Sequence, residues 1–306
     1  MKYYFIVLLA VIGLAVNFCL TKLYQNRTGT GFRISVLFNI ITGAFTAILF
    51  FFINGFMNGF SLHFTSFSWL MAALLLLFCG SYALIGFKII AIGNIAVYTL
   101  FLMLGGMMLP YFFGLIYLEE TFSYLRLAGL ILMVVAIALS GMSDSKQKKR
   151  HSSLLFFVLC MIVFCLNGGG SIVSKIHQLP ENEFRAVLSP VFVMMAGIIR
   201  VVVFSLIYLG ICIKDRKTPQ DQRSSPIKLS PFVIGIMLAS SAVDGASYLC
   251  QLIGASHLPA TVLYPMITGG SVVLTALAGR IFFKQKLSVF ATVGIVLCFA
   301  ATLFFL

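Results

Sequence analysis

One carboxylate, Asp244, stands deep inside an apolar stretch, in Ala242-Val243-Asp244-Gly245-Ala246-Ser247-Tyr248. A charge in such a setting is costly to bury and therefore marks a functional position by default. It can bind a proton, a sodium ion or a substrate amine. It can also serve structure, as a partner for Arg200, the one basic residue equally deep in a stretch of this kind. Lys22 and Lys175 close two other apolar stretches in matching contexts, Leu20-Thr21-Lys22-Leu23-Tyr24-Gln25 and Val173-Ser174-Lys175-Ile176-His177-Gln178. A repeated lysine can grip an anionic group from two sides, or it can snorkel with its stem in lipid and its ammonium at the interface. Asn17, Asn94 and Gln251 add amides, and Tyr82, Tyr98, Tyr248 and Tyr264 recur as two pairs. Polar groups of this kind line a wet cavity or join helices, and aromatic residues near the ends of stretches also act as interface anchors. With Ser171, these residues form the candidate substrate-binding set: Asn17, Lys22, Tyr82, Tyr98, Ser171, Lys175, Asp244, Tyr248, Gln251 and Tyr264.

Glycines form a second group. Gly168-Gly169-Gly170 interrupts an apolar run beside Asn167 and Ser171. Glycine weakens a helix and bares its backbone, which a membrane tolerates only against protein or a water-filled cavity. The run is either a hinge and substrate wall or a close packing surface. Gly106, Pro110 and Gly114 recur as Ser271, Thr275 and Gly279, a small residue every four positions, the pattern of a tight helix seam. Gly105 and Gly270 extend these seams.

No enzyme motif accompanies these residues. HExxH, G-x-S-x-G and a phosphate-cradling glycine loop with lysine are all absent from the sequence. The four histidines, His63, His151, His177 and His257, are dispersed, and Glu119-Glu120 reads as a solvated loop. The seven cysteines (Cys19, Cys79, Cys160, Cys165, Cys212, Cys250 and Cys298) show neither metal-ligand spacing nor a paired framework, and read as buried, unreactive thiols. No catalytic residue, metal or cofactor is expected.

The elements that must position these groups are lipid-embedded helices. Of 306 residues, 61% are hydrophobic and 9% charged, against about 25% charged in soluble domains. Apolar runs fall at 3–21, 33–54, 66–88, 93–117, 122–141, 153–176, 187–212, 230–254, 260–282 and 287–305, ten spans in all. Each approaches the roughly 20 residues that cross a bilayer as a helix. The first run follows Met1-Lys2 and lacks the small residues of a cleavage site before Cys19, so it reads as a retained helix rather than a signal peptide. The net charge of +13 is spread over short loops, which suits topology and anionic headgroups rather than nucleic acid.

An internal repeat orders the spans. The two lysine contexts match at an offset of 153, and Ser81-Tyr82 and Tyr98 match Ser247-Tyr248 and Tyr264 at 166. Gly105, Gly114, Ser123, Gly129, Leu132 and Ala136 match Gly270, Gly279, Ser288, Gly294, Leu297 and Ala301 at 165. The halves are residues 1–142 and 153–306, joined by a basic linker at 143–152, with five spans each. An odd number inverts the second copy, which predicts an all-α membrane protein of ten transmembrane helices in two inverted five-helix repeats, with substrate between them. Sixteen of the 21 Lys and Arg residues lie in or beside odd-numbered connections, so the positive-inside rule places both termini outside the cytoplasm.

Asn17-Phe18-Cys19-Leu20-Thr21-Lys22 resembles the Gly-Ser-Asn-Phe…Lys signature of the first helix of EamA-like proteins in the drug/metabolite transporter superfamily. Leu118-Glu119-Glu120-Thr121-Phe122-Ser123 with Gly129 resembles that family's junction between helices four and five, and Phe283-Lys284-Gln285-Lys286-Leu287-Ser288 with Gly294 resembles its second copy, with Gln285 where Glu is usual. His257-Leu258-Pro259-Ala260-Thr261-Val262 is similar to the start of the family's ninth helix. The resemblance spans the chain and implies a transporter with a cavity lined by helices 1, 3, 4, 6, 8 and 9, with 5 and 10 peripheral. The family's substrates are too varied to carry over. The membrane Glu of the small multidrug branch is missing from the first span, where Asn17 is the nearest polar group.

The expectation is therefore a secondary transporter of a small polar metabolite in the plasma membrane, working by alternating access, with Asp244 coupling to a proton or ion. The alternative is a lipid-linked flippase or an accessory membrane subunit without transport of its own. The expected partners are the solute and membrane lipids.

Overall fold

The computed structural model describes residues 2–29, 31–92, 95–142, 154–217, 230–284 and 288–306. Within them the chain is helical: α1 (Lys2–Thr28), α2 (Phe32–Asn58), α3 (Ser66–Ile92), α4 (Ile95–Ile116), α5 (Tyr124–Met142), α6 (Leu154–His177), α7 (Ser189–Lys217), α8 (Pro231–His257), α9 (Ala260–Phe283) and α10 (Val289–Leu303). The helices begin and end where local chemistry requires. Ser230 caps α8 by accepting from the Val233 N–H, with Pro231 in the first turn, and Ser288 caps α10 by accepting from the Ala291 N–H. Gly59 closes α2 in the left-handed conformation (φ 71°) that a glycine adopts without strain. The linker at 143–152 and Asn94 lie outside the described residues.

Among the described residues, seven helices are long and apolar enough to cross a membrane, and the apolar stretches Tyr124–Leu139 and Val289–Leu303 are shorter. Large apolar side chains cover the outside, among them Phe56 at 86% exposure and Leu154 at 82%. A surface of that kind is stable in lipid and not in water. The composition and this surface together make the chain an all-helical, multi-pass membrane protein.

The helices pair in a regular way. α2 packs along α7 and α5 along α10; α1 lies against α8 and α9, while α6 lies against α3 and α4; and α4 meets α9. Close approaches fix these pairs. At the α2–α7 crossing, a Cβ on Gly43 would lie 3.1 Å from the Gly197 carbonyl oxygen, and one on Gly197 would lie 2.9 Å from the Gly43 carbonyl oxygen. Ser247 of α8 fits against Gly13 of α1 and donates to the Ala10 carbonyl at 2.6 Å. Thr46 and Ser241 share a hydrogen bond of 2.7 Å between α2 and α8. A peripheral core of Met133, Ala136, Ile295, Cys298 and Ala301 joins α5 to α10 and leans on Met107 and Tyr111 of α4.

The glycines of α6 serve this packing. The helix runs unbroken from Leu154 to His177. A Cβ on Gly168 would meet Leu109 of α4 at 2.5 Å, and one on Gly169 would meet the Phe78 ring of α3 at 3.1 Å. Gly170 approaches the Cys79 sulfur. Gly105 faces the Phe164 backbone, Gly106 faces Asn167, and Gly270 faces Val11. Gly168 and Gly169 thus meet neighbouring helices, whereas Gly170 and Gly106 also line the central cavity described below.

The cysteines correct the expectation that all are buried. Among the described residues Cys160 and Cys298 are buried, Cys165 is exposed, and the other four are intermediate.

Candidate functional site: a polar cavity between eight helices

The core of a helical membrane bundle could be sealed with carbon. Here it encloses a cavity of about 420 Å³, lined from α1, α2, α3, α4, α6, α7, α8 and α9, with α5 and α10 outside it. That adds α2 and α7 to the six helices the family resemblance implied. The addition matters, because Arg200 comes from α7 and Thr46 from α2.

Arg200 and Asp244 face each other across the cavity wall. The guanidinium Nη1 is 3.7 Å from Asp244 Oδ2, and the two side chains are 32% and 34% exposed. Charge-assisted hydrogen bonds typically run at about 2.8 Å, so this pair is loose. The other carboxylate oxygen is held. Asn17 Nδ2 donates to Asp244 Oδ1 at 2.9 Å, and the Asn17 carbonyl oxygen accepts from Ser240 Oγ at 2.5 Å. Ser240 and Asp244 are four residues apart on α8 and share a face. α1 thus supplies the amide that orients an α8 carboxylate, which in turn faces an α7 cation.

The wall beyond this pair is mostly apolar, with hydroxyls set into it. Tyr248 and Ser174 share a hydrogen bond of 2.9 Å, and the Tyr264 hydroxyl donates to the Ser171 carbonyl at 2.6 Å. Gln251, Tyr82, Thr268 and Ser271 also line the space. Asn167 turns its amide to the Leu102 carbonyl at 2.7 Å, tying α6 to α4. Leu14, Phe18, Leu75 and Met103 provide the apolar part.

The structure sorts the candidate set. Tyr82, Ser171, Asp244, Tyr248, Gln251 and Tyr264 line the cavity, and Asn17 is bonded to one of them. Tyr98 does not line it; it packs against the cluster of Phe156, Cys160 and Val163, so the two tyrosine pairs are not equivalent in space. Lys22 is half-buried near the end of α1 and is not part of the lining. Lys175, 6% exposed, neither faces the cavity nor snorkels. Its ammonium donates to the Ala255 and Leu258 carbonyls at 2.7 and 2.8 Å. Free carbonyls at a helix C-terminus attract a cation, and nothing in a linear sequence shows that α6 brings Lys175 to the end of α8.

One further expectation changes. Glu120 is not a solvated loop residue. Its Oε1 accepts from the Ala260 N–H at 2.6 Å, and its Oε2 accepts from the Thr261 N–H at 2.9 Å and the Thr261 hydroxyl at 2.7 Å. His177, 1% exposed, lies 3.0 Å from Ser68 Oγ through Nε2 and stacks on Phe192 at 3.8 Å, as a satisfied core histidine. Among the described residues no cluster of His, Cys, Asp or Glu has the arrangement of a metal site. Ser240 was overlooked, although its placement one turn before Asp244 was a usable sign. Thr46 and Thr268 gave no sign, since hydroxyls on apolar helices are common.

No family model matches the sequence, and no curated protein matches it. Solved structures do match. A crystal structure of a protein superposes over 99% of this chain and 98% of its own, with a TM-score of 0.74 at 14% sequence identity. At that identity the likeness establishes a shared fold and nothing of chemistry.

Proposed function

We propose that this chain is a secondary transporter of a small polar solute, with two five-helix halves inserted in opposite directions and a binding site at the Arg200–Asp244 pair. The observation that carries the reading is that pair: opposite charges, each about one third exposed, on a cavity of about 420 Å³ inside an apolar bundle. Placing ions in a low-dielectric interior is expensive, and a purely structural pair gains by closing to direct contact. A loose pair with one oxygen held by Asn17 leaves both charges open to a ligand.

Helix pairing supports the inverted halves. Exchanging each helix with the one five places along maps α1–α8 onto α6–α3, α1–α9 onto α6–α4, and α2–α8 onto α7–α3, and returns α2–α7, α5–α10 and α4–α9 to themselves. That is the signature of a pseudo-twofold relation, around which inverted-repeat transporters alternate their access. The resemblance to EamA-like proteins agrees with it, as does the basic bias of odd connections, which puts the termini outside the plasma membrane.

The adjoining charges neutralise each other. A solute of single charge would displace one partner and leave the other unpaired, whereas a neutral polar or zwitterionic solute leaves the sum at zero. The purified protein should be heated with a metabolite panel and any stabilising compound carried into proteoliposome uptake. A true ligand at one hundred times its Kd should add about 2.7 kcal/mol of apparent stability and be taken up saturably. A panel in which nothing stabilises the protein and nothing is carried would remove the proposal.

A further inference from the structure

Two residues, Leu258 and Pro259, connect α8 to α9. Both helix ends at this elbow are held by charges from elsewhere in the chain. Lys175, on the last turn of α6, donates to Ala255 and Leu258 carbonyls at the end of α8. Glu120, between α4 and α5, takes the Ala260 and Thr261 N–H groups at the start of α9 and the Thr261 hydroxyl. The signs are the favourable ones, a cation on a helix C-terminus and an anion on an N-terminus. Gly114 makes the reach possible, because a Cβ there would sit 2.7 Å from Glu120 Oε2. Leu258, Ala260, Thr261 and Lys175 are all buried. One turn further into α9, Tyr264 bonds to Ser171 of α6, and Tyr248 of α8 bonds to Ser174. The elbow therefore anchors α6–α8–α9 contacts made by residues that line the cavity, Ser171, Ser174, Tyr248 and Tyr264.

We infer that Glu120 and Lys175 are a latch, holding the cavity shut at the α8–α9 elbow and releasing that elbow when access alternates. This rests on the transport reading and deepens it.

Cys79 lines the cavity and reports its accessibility. In a variant retaining Cys79 as its sole cysteine, membrane-impermeant thiol reagent is applied separately to each face, using right-side-out and inside-out vesicles. The parent should label slowly from the elbow face. E120Q and K175M should raise that rate about tenfold or more, as expected when charge-assisted bonds become neutral or are lost, and E120D should stay near the parent. If E120Q and K175M keep the parent's elbow-face rate while labelling normally from the opposite face, the latch is wrong. Should neither variant accumulate, T261V, which removes one of the three hydrogen bonds to Glu120, should still raise elbow-face labelling, and an unchanged rate in T261V overturns the latch equally. Absence of solute flux in the parent would count against the transporter reading alone, because the labelling ratio does not depend on knowing the solute.

Discussion

Asp244→Asn should abolish saturable uptake and also lower stability, and the double variant Asp244→Asn with Arg200→Gln should recover the stability without the uptake. In the single variant Arg200 is left on the cavity wall with no anion opposite, and Asn17 loses a charged acceptor. Losing a hydrogen bond to a charged group costs about 1.5–3 kcal/mol; the pair's exposure puts the expected value at about 1–2 kcal/mol. Removing both partners of a buried pair is often close to neutral, so thermal unfolding of the double variant should return near that of the parent. A structural role for the pair predicts recovery of both properties. Uptake that persists in Asp244→Asn would show that the carboxylate neither binds nor couples, whatever the stability.

Gly105→Val should prevent the protein from accumulating in folded form, and Gly105→Ala should destabilise it severely. A Cβ on Gly105 would overlap the Phe164 carbonyl oxygen and fall 2.7 Å from the Phe164 carbonyl carbon. Those atoms belong to the α6 backbone and cannot rotate away, so the α4–α6 interface must separate. Overpacking of cores typically costs about 1–3 kcal/mol even where side chains can adjust, and here the obstacle is main chain. The control is Gly210→Ala, where a Cβ would have no neighbour within 4 Å. Monodispersity on gel filtration and the apparent Tm decide the matter; a Gly105→Val protein that purifies and melts like the parent would mean that the helices do not approach this closely.

The two variants probe features of differing legibility. Gly105 and Gly168 could be marked from sequence as small residues in apolar stretches; Gly105 read as part of a tight seam, whereas Gly168 served equally well as a hinge or substrate wall. The contact between Gly168 and Leu109 decides for packing, and it depends on which helix α6 meets. Asp244 stood out because a carboxylate in a long apolar run has few explanations, and its pairing with Arg200 followed from there being one such cation. The orienting bond from Asn17 was not legible, since it joins residues 227 positions apart. Tyr98 was misplaced because a match at a fixed offset equates positions in sequence alone, while packing puts Tyr264 in the cavity wall and Tyr98 in a packed cluster.

Lys175 and Glu120 show the limit most clearly. By type and position each had a conventional explanation, a snorkelling lysine and a solvated acid. Both in fact serve helix ends distant in sequence. The chain's own sequence determined that it lies in lipid as apolar helices, because hydrophobicity and span length are local and additive. It also determined that charge inside the bundle is confined to a few positions. Tertiary structure alone decided which of those charges face a common cavity and which cap a helix. A charged group's partner is set by helix packing, and packing brings together residues that no local pattern connects.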